Sequence, residues 1–144
     1  MSADPFQLER FVEAQAEGVY ERALAELRTG RKKSHWMWFV FPQVAGLGGS
    51  PTSRFYAIGS LSEARAYVEH PVLGGRLREC AAAAADFAGT PEELLGPIDE
   101  EKLRSSMTLF EAAAPDEPVF TEVLARHYGG SHCAHTLEFV AEHP

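Results

Sequence analysis

Gly30-Arg31-Lys32-Lys33-Ser34-His35-Trp36-Met37-Trp38-Phe39-Val40-Phe41-Pro42-Gln43 is the stretch on which the reading of the whole chain turns. Its fourteen positions hold three cations, both tryptophans, a histidine and an unbroken apolar run from Trp36 to Phe41. That run has neither a helical nor an alternating period, because both faces would be apolar. Its length and aromatic content suit a short buried strand or a buried helical turn, and Pro42 ends either one. No second segment offers itself as a partner strand, and a lone strand leaves its backbone groups unpaired. A short helix, or an extended segment covered on all sides, is the expected form.

On the N-terminal side the chain reads as one long helix. Asp4-Pro5 supplies a cap and a first-turn proline. Leu8, Val12, Ala16, Val19 with Tyr20, Ala23 and Leu27 then recur at three- and four-residue steps, the stripe of an amphipathic helix. Thr29-Gly30 closes it, glycine being the natural left-handed residue past a helix end.

On the C-terminal side, Gly46, Gly48, Gly49, Ser50 and Pro51 mark a loop. Ser60-Leu61-Ser62-Glu63 opens as a capping box, and its helix ends before His70-Pro71. The next helix runs through Leu73, Leu77 and Cys80 to Gly89, and its alanines from Ala81 to Ala85 imply close helix–helix approach. Thr90-Pro91-Glu92-Glu93 is a second capping box, for a short helix stopped by Gly96-Pro97. Asp99 caps a helix with Leu103, Met107, Phe110 and Ala114 on one stripe, and Lys102, Ser105, Ser106 and Leu109 on another. A linker from Ala112 to Pro118 leads to a helix ending at Gly129-Gly130. A last one spans about His135 to Ala141. The expectation is an all-α single domain over 1–144, a compact bundle of about six or seven short-to-medium helices. The aromatic segment lies buried between helix one and the glycine-rich loop.

The chain has 144 residues, the size of one domain, which buries roughly 68–70% of its unfolded surface. Thirteen basic against 21 acidic residues give a net charge of −8. That excludes a general nucleic-acid binder, which needs a basic face, and makes the cluster Arg31, Lys32, Lys33 stand out. Two cysteines in such a domain need no staple and fit a reduced, cytoplasmic protein. The N-terminus lacks a signal pattern, and no apolar run is long enough to span a membrane.

Arg31, Lys32 and Lys33 follow a helix C-terminus, where cations offset the macrodipole. The same charges beside aromatic rings also suit a clamp for phosphate or carboxylate. Trp36 and Trp38 read first as core, each needing an acceptor for its indole N–H. His35 is the candidate acid/base group, since its ordinary pKa lies near neutrality. Gly46-Leu47-Gly48-Gly49-Ser50 matches neither the P-loop nor the dinucleotide fingerprint, so a plain loop competes with an anion cradle. His127, His132, Cys133 and His135 have some metal-ligand spacing, but without paired Cys-x-x-Cys or His-Glu-x-x-His no metal is assigned.

The block Lys33-Ser34-His35-Trp36-Met37-Trp38-Phe39-Val40-Phe41-Pro42-Gln43 resembles the signature of the bacterial DUF1810 family. Asp4-Pro5-Phe6, Leu8-Glu9-Arg10-Phe11-Val12, Gly46-Leu47-Gly48, His70-Pro71-Val72-Leu73-Gly74 and the stretch from Lys102 to Phe110 match it as well. The resemblance covers essentially the whole chain and implies a compact, mostly helical domain with no established activity. One departure stands near the end. The family tends to carry an acidic residue before the final Thr-Leu, where this chain has Ser131-His132-Cys133-Ala134-His135.

These features lead to one expected site. Arg31, Lys33, Ser34, Trp36, Trp38, Gln43, Lys102, Ser105 and Ser106 would line a cleft for a small anionic metabolite, nucleotide-like compounds among them. Two other classes stand beside that binding module: an enzyme on such a metabolite with His35 as acid/base, and a protein–protein interaction module using an exposed tryptophan segment. No cofactor or oligomeric state is assigned by the pattern.

Overall fold

The computed structural model describes residues 4–144, which form ten α-helices. In chain order these are α1 (Glu9–Ala14), α2 (Val19–Thr29), α3 (Met37–Val40), α4 (Pro51–Phe55), α5 (Leu61–Glu69), α6 (Leu73–Asp86), α7 (Pro91–Leu95), α8 (Asp99–Ala113), α9 (Pro118–Tyr128) and α10 (Ala134–Glu142). The all-α class holds, while the expected count of helices is too low. Short helices escape a period search, because one turn of α3 or α4 has too few residues to display a stripe.

The largest correction is to the long first helix. It breaks between Ala14 and Val19, where Glu17 and Gly18 both take left-handed backbone angles (φ 57° and 84°). The apolar spacing across the break still fits a helical period, so periodicity passes over it. What the break serves is Gln15, which is buried. Its amide donates to the Phe39 carbonyl (2.7 Å) and the Tyr67 hydroxyl (3.2 Å), and it accepts from Arg76 (3.3 Å). Asp4 and Pro5 lie outside the helix, which starts only at Glu9 after Leu8; the Asp4 carboxylate still accepts from the amides of Leu8 and Glu9.

α8 is the central helix, with Leu103, the residues from Ser105 to Phe110, and Ala113 all buried. It packs against α5, α7, α9 and α10, while α6 lies against α2, α5 and α9. A line of aromatic contacts runs through the core, from Phe11 to Tyr67 (5.1 Å, edge-on), to Phe110 (5.4 Å) and to Phe120 (5.8 Å). Burying rings in series in this way contributes about 1.5–3 kcal/mol apiece from area alone. The alanines of α6 let α9 approach closely. Arg126 and His127 of α9 reach the Ala85 and Ala84 carbonyls, satisfying orphan acceptors at the C-terminus of α6.

Two of the expected caps are in place, while α6 ends at Asp86, short of Gly89. Thr90 and Glu93 form the reciprocal capping box, and Ser60 accepts from the Glu63 amide (3.1 Å). Glu63 reaches back one residue further than expected, to the Gly59 amide, and also pairs with Arg10 at 2.7 Å. The only β pairing among the described residues is one parallel bridge, Val44 with Ile58. Both cysteines are free, Cys80 in the core and Cys133 half-buried. No helix is long and apolar enough to cross a membrane.

Candidate functional site

The tryptophan segment resolves as a non-helical run, bent at Ser34 and His35, followed by one helical turn. From Arg31 to Trp36 the exposure alternates: Arg31, Lys33 and His35 point outward, while Lys32, Ser34 and Trp36 turn in. The run is pinned at both faces. The Lys32 amide donates to the Leu94 carbonyl of α7 (2.8 Å), and the inward groups meet a buried carboxylate, Glu26 of α2.

Glu26 accepts four hydrogen bonds. They come from the Lys33 and Ser34 amides (2.7 and 3.0 Å), the Ser34 hydroxyl (2.5 Å) and the Trp36 indole N–H (2.9 Å). Burial opposes its ionisation. The Ser34 hydroxyl, the Lys33 amide, the Trp36 indole and the Ser34 amide outweigh that penalty and hold its pKa at about 2. The sequence reading passed over Glu26 because a glutamate on a helix ordinarily faces solvent.

The inward turn of Lys32 brings it to α8. Its ammonium lies 2.9 Å from Asp99, whose other oxygen meets Lys102 at 2.8 Å. Each ammonium also stands over an indole, Lys32 over Trp36 (5.2 Å to the ring centre) and Lys102 over Trp38 (4.4 Å). Asp99 is thus the first residue of α8 and the shared partner of two lysines, not the cap expected of it. Burial pushes its carboxyl up, and the two lysines more than reverse this, leaving it below the ordinary aspartate value.

This cluster forms the common wall of two hollows. The inner one, about 130 Å³, is also lined by Trp36, Met37, Trp38, Phe39 and Thr52. The outer one, about 380 Å³, is lined by Leu95, Gly96, Pro97 and Ile98 of the α7–α8 turn. Lys32, His35, Asp99 and Lys102 line both. Larger hollows elsewhere, such as the one of about 430 Å³ beside Asp4 and His70, set no lysine against a tryptophan.

Of the residues expected at the site, His35, Trp36, Trp38 and Lys102 do share one hollow. The remainder fall outside it. Arg31 and Lys33 face solvent, and Ser34 is committed to Glu26. Gln43 is buried, with its carbonyl accepting from Ile58. Ser105 turns to the Glu101 carbonyl and the Cys133 sulfur, and Ser106 is wholly buried with no partner for its hydroxyl. The physical reason is helical pitch: Ser105 and Ser106 lie one turn deeper along α8 than Lys102, in its packed middle. Lys32, Asp99 and Thr52, with the apolar Met37 and Phe39, line that hollow without having been among the expected site residues.

The glycine-rich loop has a packing role here. A Cβ on Gly48 would stand 2.7 Å from both Trp38 Cη2 and the Ser53 side chain, so the missing side chain lets the loop close over the indole. The C-terminal histidines diverge: His127 meets the Ala84 carbonyl, His132 meets Glu111, and His135 meets the Ala45 carbonyl. Cys133 stands at the start of α10 without a side-chain cap, and the helix forms nonetheless.

Comparison with known proteins bears on the whole of this architecture. The family model DUF1810, described as a protein of unknown function, matches residues 5–140. The chain belongs to the DUF1810 family. The crystal structure of the conserved hypothetical protein Rv1873 from Mycobacterium tuberculosis is similar to this DUF1810 chain at 50% identity, with a TM-score of 0.93. The match covers 96% of this chain and 99% of that one. No curated protein matches.

Proposed function

We propose that this DUF1810 chain binds a small anionic metabolite in the double hollow between the tryptophan segment and the start of α8. The observation that carries the reading is the convergence of two ammonium groups, each over an indole, on one carboxylate at the wall of a cavity. Two lysines against one aspartate leave one positive charge in excess. An anion entering there meets cations, aromatic faces and the positive end of a 15-residue helix together. In a protein of net charge −8, this local inversion of sign guides small anions rather than polyanions.

Thermal-shift measurement with a panel of phosphorylated and carboxylated metabolites tests the reading, because a ligand of the native state raises Tm. At least one such anion raises Tm in the wild type, and replacing both lysines, Lys32→Met with Lys102→Met, weakens its binding by about tenfold or more. Equal binding by the double variant would sink the proposal.

The enzyme reading rests on His35, which is exposed, lines both hollows and makes no hydrogen bond from its ring to a described residue. Such a group is available for proton transfer to a bound ligand. His35→Ala would then abolish turnover of the bound anion with Tm nearly unchanged; turnover surviving in the variant removes His35 from the chemistry. The interaction-module reading has less support. Trp36 is 1% exposed, and the large exposed hydrophobics, Phe55, Val72, Ile98 and Leu137, are not those of the tryptophan segment.

A further inference from the structure

The two hollows meet at their charged wall, and that placement says where on the ligand the charge sits. Beyond the wall on the inner side lies a cup of Trp36, Met37, Trp38 and Phe39. On the outer side lies the apolar ledge of Leu95, Pro97 and Ile98. A ligand whose anion is terminal fills one side and leaves the other wet. A ligand whose anion is internal places a group in each hollow, with its charge between Lys32 and Lys102. We propose that the site takes a phosphate diester, with a flat ring in the aromatic cup and a second group against the Ile98 ledge. This rests on the anion-binding reading above and narrows it.

Size, charge and exposure agree with an internal anion. The outer hollow, at about 380 Å³, lies within the roughly 300–1,000 Å³ usual for a small-molecule site and the inner cup, at about 130 Å³, below it, so a ligand that also fills the cup passes the shared charged wall with its middle. Two lysines and Asp99 sum to one positive charge, which matches the single charge of a diester. A terminal phosphate carries about −1.5 to −2 at neutral pH and would leave charge uncompensated beside Asp99. Ile98, 77% exposed, is the most exposed large hydrophobic among the described residues. A bound group on the ledge would cover it, and burying such surface contributes to affinity.

Isothermal titration calorimetry of the full chain with four probes tests this: inorganic phosphate, adenosine monophosphate, the dinucleoside monophosphate ApA, and a short oligoadenylate. ApA is expected to bind about tenfold or more tightly than the two terminal phosphates, and at least as tightly as the oligoadenylate. An oligoadenylate that outbinds ApA would overturn the single-charge match and with it the proposal. Adenosine monophosphate binding as tightly as ApA would overturn the diester assignment and leave the anion site standing. Failure of all four to bind overturns the diester proposal as well, and the wider metabolite panel then decides the anion reading separately. The variant Ile98→Glu, on an exposed position whose fold is checked by circular dichroism, should bring the ratio of ApA to adenosine monophosphate affinity close to one. A ratio that persists in this variant removes the ledge, and the diester with it.

Discussion

Glu26 and Asp99 both hold the tryptophan segment, one from α2 and the other from the start of α8, and they do so by different chemistry. Glu26 is buried and filled by neutral donors: two amides, a hydroxyl and an indole. Asp99 is half-buried and held by two ammonium groups at the wall of a hollow. A carboxylate satisfied by backbone and indole donors fixes geometry, because its loss leaves the buried indole N–H unpaired and loosens the part-buried amides beside it. A carboxylate shared by two lysines beside open space is exchangeable, because the lysines keep both water and any incoming anion as alternative partners.

The sharpest way to break that contrast is Glu26→Ala. It strands four donors at once and is expected to cost about 3 kcal/mol or more in a urea denaturation series. A loss near that of an ordinary surface glutamate would mean the Lys33–Trp36 turn holds itself. Acid titration of the same group supplies an independent reading. Its folded pKa of about 2 lies below the ordinary 4.5. Its contribution is therefore complete above pH 4.5 and is lost as pH falls toward 2. Wild-type stability should fall through that window, and Glu26→Gln should show a shallower fall measured by the same series.

Next in size is Gly48→Ala, which forces a Cβ against Trp38 and Ser53 and should cost about 1–3 kcal/mol. A shifted tryptophan fluorescence maximum would report that the indole has moved. Asp99→Asn comes third and separates the two carboxylates most directly. It removes the resident negative charge, so affinity for the anion found by the metabolite panel should rise about fivefold, from about 1 kcal/mol of relieved repulsion. Stability should fall by about 1–3 kcal/mol, since the largely buried Lys32 loses its counter-charge but keeps a polar partner. A variant that unfolds instead would place Asp99 in the same structural role as Glu26. Smallest is Ser106→Ala, at a buried hydroxyl with no partner. It should leave both anion affinity and stability within about 0.5 kcal/mol of wild type, measured by calorimetry and by urea.

The sequence carried those parts of the fold that are fixed by neighbours along the chain. Thr90 with Glu93, the Ser60 cap, and the stop at His70-Pro71 are local chemistry, decided within four or five residues, and each stands where the pattern put it, with only the Glu63 carboxylate displaced by one residue to the Gly59 amide. The all-α class follows from the same kind of signal. The break before Val19 was not legible, since its cause is a glutamine meeting Phe39, Tyr67 and Arg76. No spacing within the helix announces partners so far away.

For the site, the sequence established that cations and indoles stand close together along the chain, and that Lys102 lies on a helix; their meeting was an expectation that the fold had to supply. It could not set the phase. A short irregular run has no period that fixes its faces, and only the Leu94 and Glu26 anchors decide that Lys32 turns in while Arg31 and Lys33 turn out. Composition and near-neighbour chemistry therefore determined what kinds of groups are present. Which of them meet across 67 residues, as Lys32 and Asp99 do, was decided by packing, because a long-range ion pair leaves no periodic trace in the residues between its partners.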